Sequence, residues 1–269
     1  YGPRVAHLEN RFEAAEQQVS SLFDIIGTSE LWLDLACTAY RVKARCSFES
    51  QSIDAALQVV TAGRSVFRDR ALPRFQAVID LFEIRLLLLA GRLEEARQRA
   101  NSFELHSKAA DPAYLREKGW RIAIPLLTEM ARLALEGQDL EHAWRTLSCL
   151  EDWVDSVSAK LHSIELKLLQ ARAHEMEGSR TAARDCISES LSLSLETGQI
   201  LSFLDSRAWA IPLLKDVTLR HQISGKQALQ ERLDTIVARL DSTDDDRRDC
   251  HRTDTAVLSP REQQVFFLL

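Results

Sequence analysis

The sequence predicts an all-α protein built from antiparallel helix pairs that stack on one another. Three observations predict it: the residue usage, a recurring pattern of small and apolar positions, and a turn at a fixed place in that pattern. Leu, Ala, Glu and Arg dominate, all good helix formers, while strand-favouring runs of Val, Ile and Thr are scarce. Residues 44–56, 84–96, 131–143 and 171–183 look alike. With the last Ala of each as an anchor, the anchors at 56, 96, 143 and 183 lie 40, 47 and 40 residues apart. A turn falls five or six residues before the anchor, at Gly91, Gly137 and Gly178, with Ser50-Gln51 in the first copy. Each copy reads helix, short turn, helix, with Gly supplying the positive φ that ends the first helix.

The pattern has a steric reason. Counting back twelve from each anchor gives Ala44, Ile84, Ala131 and Ala171; counting forward four gives Val60, Ala100, Leu147 and Ile187. Small residues let two helices approach near their turn, and longer apolar side chains fill the widening space beyond it. One pair cannot bury both apolar faces, but stacked pairs can. In order, the helices expected are 31–47 with 52–67, 74–90 with 92–105, 119–136 with 139–152, and 159–177 with 180–195. Two more follow at 200–217 and 226–240. The longer third period is expected to hold a loop around Asp111-Pro112, before Trp120.

The turn Gly and the Ala five later, in Gly91-Arg92-Leu93-Glu94-Glu95-Ala96 and Gly178-Ser179-Arg180-Thr181-Ala182-Ala183, resemble the tetratricopeptide repeat. The period exceeds the usual ~34 residues, and the signature aromatics of the first helix are missing. The fold expected is a tetratricopeptide-like solenoid of antiparallel helix pairs.

Composition narrows the function classes. The 269 residues suffice for one elongated domain or two compact ones, and 28% charged with 45% hydrophobic residues is ordinary for a folded protein. A formal charge of −6 argues against a nucleic-acid-binding body, which is usually basic. Five cysteines at scattered spacings, with no Cys-x-x-Cys, read as free thiols in a reducing cytosol. No stretch of eighteen apolar residues and no signal peptide is found, so a cytoplasmic protein without a membrane partner is expected. The chain opens on Tyr1-Gly2-Pro3 rather than Met, as a piece of a longer protein would.

Residues 241–257 hold six Asp and three Arg without apolar periodicity, the signature of a solvated linker. The segment 258–269 then reads Leu258, Ser259, Pro260, Arg261, Glu262, Gln263, Gln264, Val265, Phe266, Phe267, Leu268, Leu269. Ser259 as N-cap, Pro260 at the first helical position and Glu262 three residues after the cap form a helix start with a capping box. These residues resemble the opening of a LuxR-type helix-turn-helix domain, with Leu258, Ser259, Arg261, Glu262, Val265, Leu268 and Leu269 matching and Phe266 replacing a common Leu. Phe203-Leu204-Asp205 ahead of Ile211-Pro212-Leu213-Leu214 resembles the segment that follows the repeats in large bacterial activators of the maltose-activator kind.

The resemblance implies a helical-repeat sensor over residues 1–241, a linker over 242–257, and the start of a DNA-binding domain over 258–269. It implies a small-molecule effector or a regulatory protein as partner, self-association into a homo-oligomer, and contact with DNA only through a domain beyond Leu269. Ser259, Pro260, Arg261 and Glu262 would build that domain without touching bases. An ATPase module precedes the repeats in that group, but no Gly-x-x-x-x-Gly-Lys-Ser/Thr occurs here. The chain itself is expected to be no enzyme and to need no cofactor.

One repeat position suggests a site. Eleven residues before each anchor stand Arg45, Arg85, Arg132 and Arg172. In tetratricopeptide-like repeats this position tends to face the groove, where guanidinium forks could grip a carboxylate or phosphate. The competing reading is that each Arg bridges to an acidic residue on the next helix and supports the stack. Tyr40 and Trp120, with Trp32 and Trp209, could add ring faces for a ligand; as large aromatics they equally suit the core. The seven His form no His-x-x-x-His pair, no Gly-x-Ser-x-Gly occurs, and acidic runs such as Asp244-Asp245-Asp246 read as solvated faces, so neither a metal site nor a catalytic group is expected.

Overall fold

The computed structural model describes the backbone of residues 33–250 and the side chains of residues 36–241. Among the described residues the chain is helical and contains no strand. The helices are α1 (Leu33–Ser50), α2 (Ile53–Asp69), α3 (Pro73–Leu89), α4 (Leu93–Ser102), α5 (Leu105–Ala110), α6 (Pro112–Lys118), α7 (Trp120–Glu136), α8 (Leu140–Ser156), α9 (Lys160–Met176), α10 (Arg180–Thr197), α11 (Leu201–Asp205), α12 (Arg207–Leu214), α13 (Val217–Gln222) and α14 (Gln227–Cys250). The region expected as one domain over 1–241 falls into two compact units, one ending at Arg92 and one running from Leu93 to Asp245.

The repeat register accounts for the packing. Ala56, Ala96, Ala143 and Ala183 are fully buried, as are Ala44, Ile84, Ala131 and Ala171. Four residues after the anchors, Val60, Ala100, Leu147 and Ile187 are buried too. In the first unit α1 packs on α2, α2 on α3, and α1 on α3. In the second, α7 packs on α8, α8 on α9, α9 on α10, and α7 directly on α9. First helices therefore touch first helices. Two of the second helices begin on a side-chain cap. The Ser52 hydroxyl accepts from Ala55 N at 3.1 Å, and the Asp139 carboxylate accepts from His142 N at 3.0 Å.

The turn glycines divide into two kinds. Gly91 (φ 72°) and Gly178 (φ 78°) are left-handed, as expected, and lie five residues before their anchors. Gly137 is not: its φ is −79°, and the left-handed residue is Gln138 (φ 60°), which holds that same register. Gly137 instead leaves room, since a Cβ there would stand 2.6 Å from the Arg97 guanidinium. A second left-handed position falls fifteen residues after the anchor, between pairs, at Ala71 (φ 54°), Ser158 (φ 48°) and Gly198 (φ 77°).

Three expectations from the sequence change. The loop expected around Asp111-Pro112 is two short helices, α5 and α6. Asp111 caps α6, accepting from Ala113 N at 2.8 Å, Pro112 takes its first position, and Leu105 and Leu115 bury one side chain from each helix. The helix expected at 200–217 is broken at Ser206 into α11 and α12, and a separate α13 is capped by Asp216. The last helix runs past 240 to Cys250, so the stretch expected as the start of an acidic linker is helical that far.

Candidate functional site

Arg132 lies on α7 among buried residues, 8% exposed. Its guanidinium donates to Glu165 on α9 at 2.5 Å, and Glu129, one turn back on α7, is 3.8 Å away. All three side chains are largely withdrawn from water. This is the bridge between successive first helices that a stacking role requires. A guanidinium so placed already holds a carboxylate, so an incoming anion would have to displace one.

The other three arginines of the column differ. Arg45 is 3% exposed and pairs within its own helix with Glu49 at 2.7 Å, its guanidinium 5.4 Å from the Phe48 ring centroid. Arg85 is half-buried on α3. Arg172, on α9, is the more open case: its side chain is 28% exposed, 3.3 Å from Glu175, and its guanidinium lies 5.7 Å from the Trp209 ring centroid. Its Nε is buried without a hydrogen-bond partner. Arg172 with Trp209 thus forms the cation-and-aromatic combination within this column that reaches solvent.

The aromatic candidates separate cleanly. Tyr40 is a core residue, 1% exposed, edge-on to Phe67 at 5.9 Å and packed against Gly63. It has no free ring face for a ligand, and burial pushes its phenol well above the ordinary tyrosine range. Trp120 opens α7 with 42% exposure, and the Arg121 guanidinium lies 5.4 Å from its ring. Trp144 donates from Nε1 to Glu177 at 2.6 Å and lies 4.7 Å from the His174 ring. Trp32 and the helix start Ser259, Pro260, Arg261 and Glu262 lie outside the described residues.

A second charged register escaped the sequence reading. Eight residues after the first anchor, Arg64 on α2 donates to Asp80 at 2.6 Å and to Glu83, both on α3. Asp80 stands sixteen residues before the next anchor. The same two positions in the second unit carry Glu151 on α8 and Lys167 on α9, 3.5 Å apart, with Glu189 of α10 also 3.1 Å from Lys167. The contact is conserved in place and reversed in sign. Burial works against the charge on Arg64, but hydrogen bonding to Asp80 and the charge of Glu83 outweigh it and hold the guanidinium firmly protonated. Laying the charged residues on the repeat frame at +8 and −16 would have revealed the pairing.

The residue after each anchor reaches forward in the second unit. Arg97 approaches the turn at Gly137, Trp144 bonds Glu177 at the next turn, and Arg184 pairs with Asp216 at 3.2 Å. Among the described residues no group of three or more His, Cys, Asp or Glu is arranged to hold a metal ion. No described helix is long and apolar enough to cross a membrane. Comparison with known protein families, curated proteins and solved structures finds no match to the chain.

Proposed function

We propose that this chain is the sensing and self-association region of a LuxR-type transcriptional regulator. It would take up a small effector or a partner protein and pass the change to a DNA-binding domain beyond Leu269. The observation that carries the reading is the sequence of 258–269, with Leu258, Ser259, Arg261, Glu262, Val265, Leu268 and Leu269 in the order of that domain's opening. The order of parts supports it: stacked helix pairs, an interrupted segment at 201–214, then a long closing helix. Within the repeats, Arg172 with Trp209 is the place best suited to an anionic effector, because it keeps partial exposure and an unpartnered Nε.

The test is the coding sequence past Leu269. Within about fifty codons it should encode a helix-turn-helix whose second helix is amphipathic. The product carrying that domain should bind its target DNA with a steep salt dependence. A reading frame without that domain leaves the alternative, a tetratricopeptide-type scaffold that binds proteins only. The alternative is favoured by Arg132 and Arg45, whose charges are engaged by the protein's own carboxylates.

A further inference from the structure

The closing helix α14 is attached to the last helix pair in an unusual way. Four of its residues, Leu229, Leu233, Ile236 and Leu240, form one stripe and join an apolar cluster with Ile187, Leu191, Phe203, Leu214 and Leu219. Beside that stripe, Arg232 inserts a charge. Its Nε donates to the Ser194 hydroxyl at 2.9 Å, and its Nη2 donates to the Ser194 and Gln199 carbonyls at 3.0 and 3.1 Å. Ser194 is in the last turn of α10, and Gly198 (φ 77°) ends that helix. The guanidinium thus caps the C-terminal end of α10, where the helix dipole favours a cation and the Ser194 carbonyl, already accepting from Gly198 N at 2.9 Å, takes a second donor.

The surrounding side chains are polar and buried: Ser194 and Ser206 are fully buried, Ser202 is 3% exposed and Gln199 6%. The Ser194 hydroxyl donates to the Gln199 carbonyl at 2.5 Å, and the Gln199 amide donates to the Ser202 hydroxyl at 2.8 Å. Two atoms of this layer, Gln199 Oε1 and Ser206 Oγ, are buried without a hydrogen-bond partner. Unpaired buried polar atoms weaken a junction. The inner helix pairs also hold unpartnered buried atoms, such as Arg172 Nε, but at their crossings they meet on Ala56, Ala143, Ala183 and apolar neighbours. Two further polar ties of α14, Lys215 to Asp241 and Arg220 to Asp234, both at 2.8 Å, are exposed and correspondingly weak.

We propose that Arg232 is a releasable latch: it fastens α14 to the end of α10, and α14 detaches as a unit while the helix pairs before it stay folded. This holds whether or not a DNA-binding domain follows, so it stands or falls apart from the LuxR-type reading. The test is amide hydrogen exchange on the whole chain with Arg232→Ala and Ser206→Ala. Arg232→Ala should speed exchange in peptides covering 227–240 by about tenfold or more and leave 120–176 within about twofold of the parent. Arg232→Lys should fall between the two. Ser206→Ala, which removes an unpartnered hydroxyl, should slow exchange over 227–240. The proposal is overturned if Arg232→Ala speeds 93–240 uniformly, if it leaves 227–240 unchanged, or if Ser206→Ala speeds exchange there.

Discussion

The two units solve one stacking problem with opposite chemistry. In the first, the cation is on the second helix of a pair and the carboxylates are on the following first helix: Arg64 against Asp80 and Glu83. In the second, the carboxylate comes first, Glu151, and the cation follows, Lys167. The backbone register thus fixes where a charged contact spans two helices, and leaves its sign free. Burial differs as well. Arg64, Asp80 and Glu83 are 17%, 11% and 4% exposed, whereas Lys167, Glu151 and Glu189 are 24%, 42% and 58% exposed. A low-dielectric pair is tightly coupled, and a hydrated one hardly at all. The units also differ sixteen before and seven after the anchor. The first places Tyr40 against Gly63, and the second has Leu127 and Leu150, both buried.

Five substitutions break or sharpen this comparison. The largest effect is expected for Arg64→Ala, which removes the cation from two nearly buried carboxylates. It should cost about 3 kcal/mol in chemical denaturation of the first unit. Next is Gly63→Ala. Its Cβ would stand 2.9 Å from Tyr40 Cγ, so despite better helix propensity the change should destabilise by about 1–2 kcal/mol. Ala71→Gly and Ser158→Gly relieve left-handed backbone at the same register in the two units and should each stabilise by up to about 1 kcal/mol, seen as a raised Tm. The smallest effect belongs to Lys167→Ala: its partners are hydrated, and the loss should stay below about 1 kcal/mol and shrink with added salt. A cost for Lys167→Ala equal to that of Arg64→Ala would remove the distinction between the units.

Much of the fold was legible because small residues at fixed spacing have one main use, close helix approach. Ala56, Ala96, Ala143 and Ala183 define the frame, and eight further positions follow from it by counting. Elements without a repeat partner were not legible. Asp111-Pro112 suits a loop and a helix start equally, and only the burial of Leu105 and Leu115 decides between them. The break at Ser206 has no Gly or preceding Pro to announce it, and the polar run past Leu240 has no apolar stripe to announce a helix. The turn at Gly137 shows how near a sequence argument can come: the register was right, but the left-handed residue is Gln138, and the glycine makes room for Arg97.

The candidate site was legible as a column and not as a chemistry. Four arginines share one register, yet their surroundings range from the buried bridge of Arg132 to the part-exposed Arg172 over Trp209. Which acidic residue meets which arginine depends on the rotation of one pair against the next, and spacing within a single copy does not encode that rotation. Tyr40 shares the aromatic character of Trp120 but faces inward, because Gly63 opens a place for its ring.

The central claim is that Arg132, within the arginine column, works first by holding two successive first helices together through Glu165. A double-mutant cycle of Arg132→Ala and Glu165→Ala, followed by denaturation of the second unit, tests it most directly. The account predicts a favourable coupling of about 1.5 kcal/mol or more between the two side chains. A coupling indistinguishable from zero would contradict it.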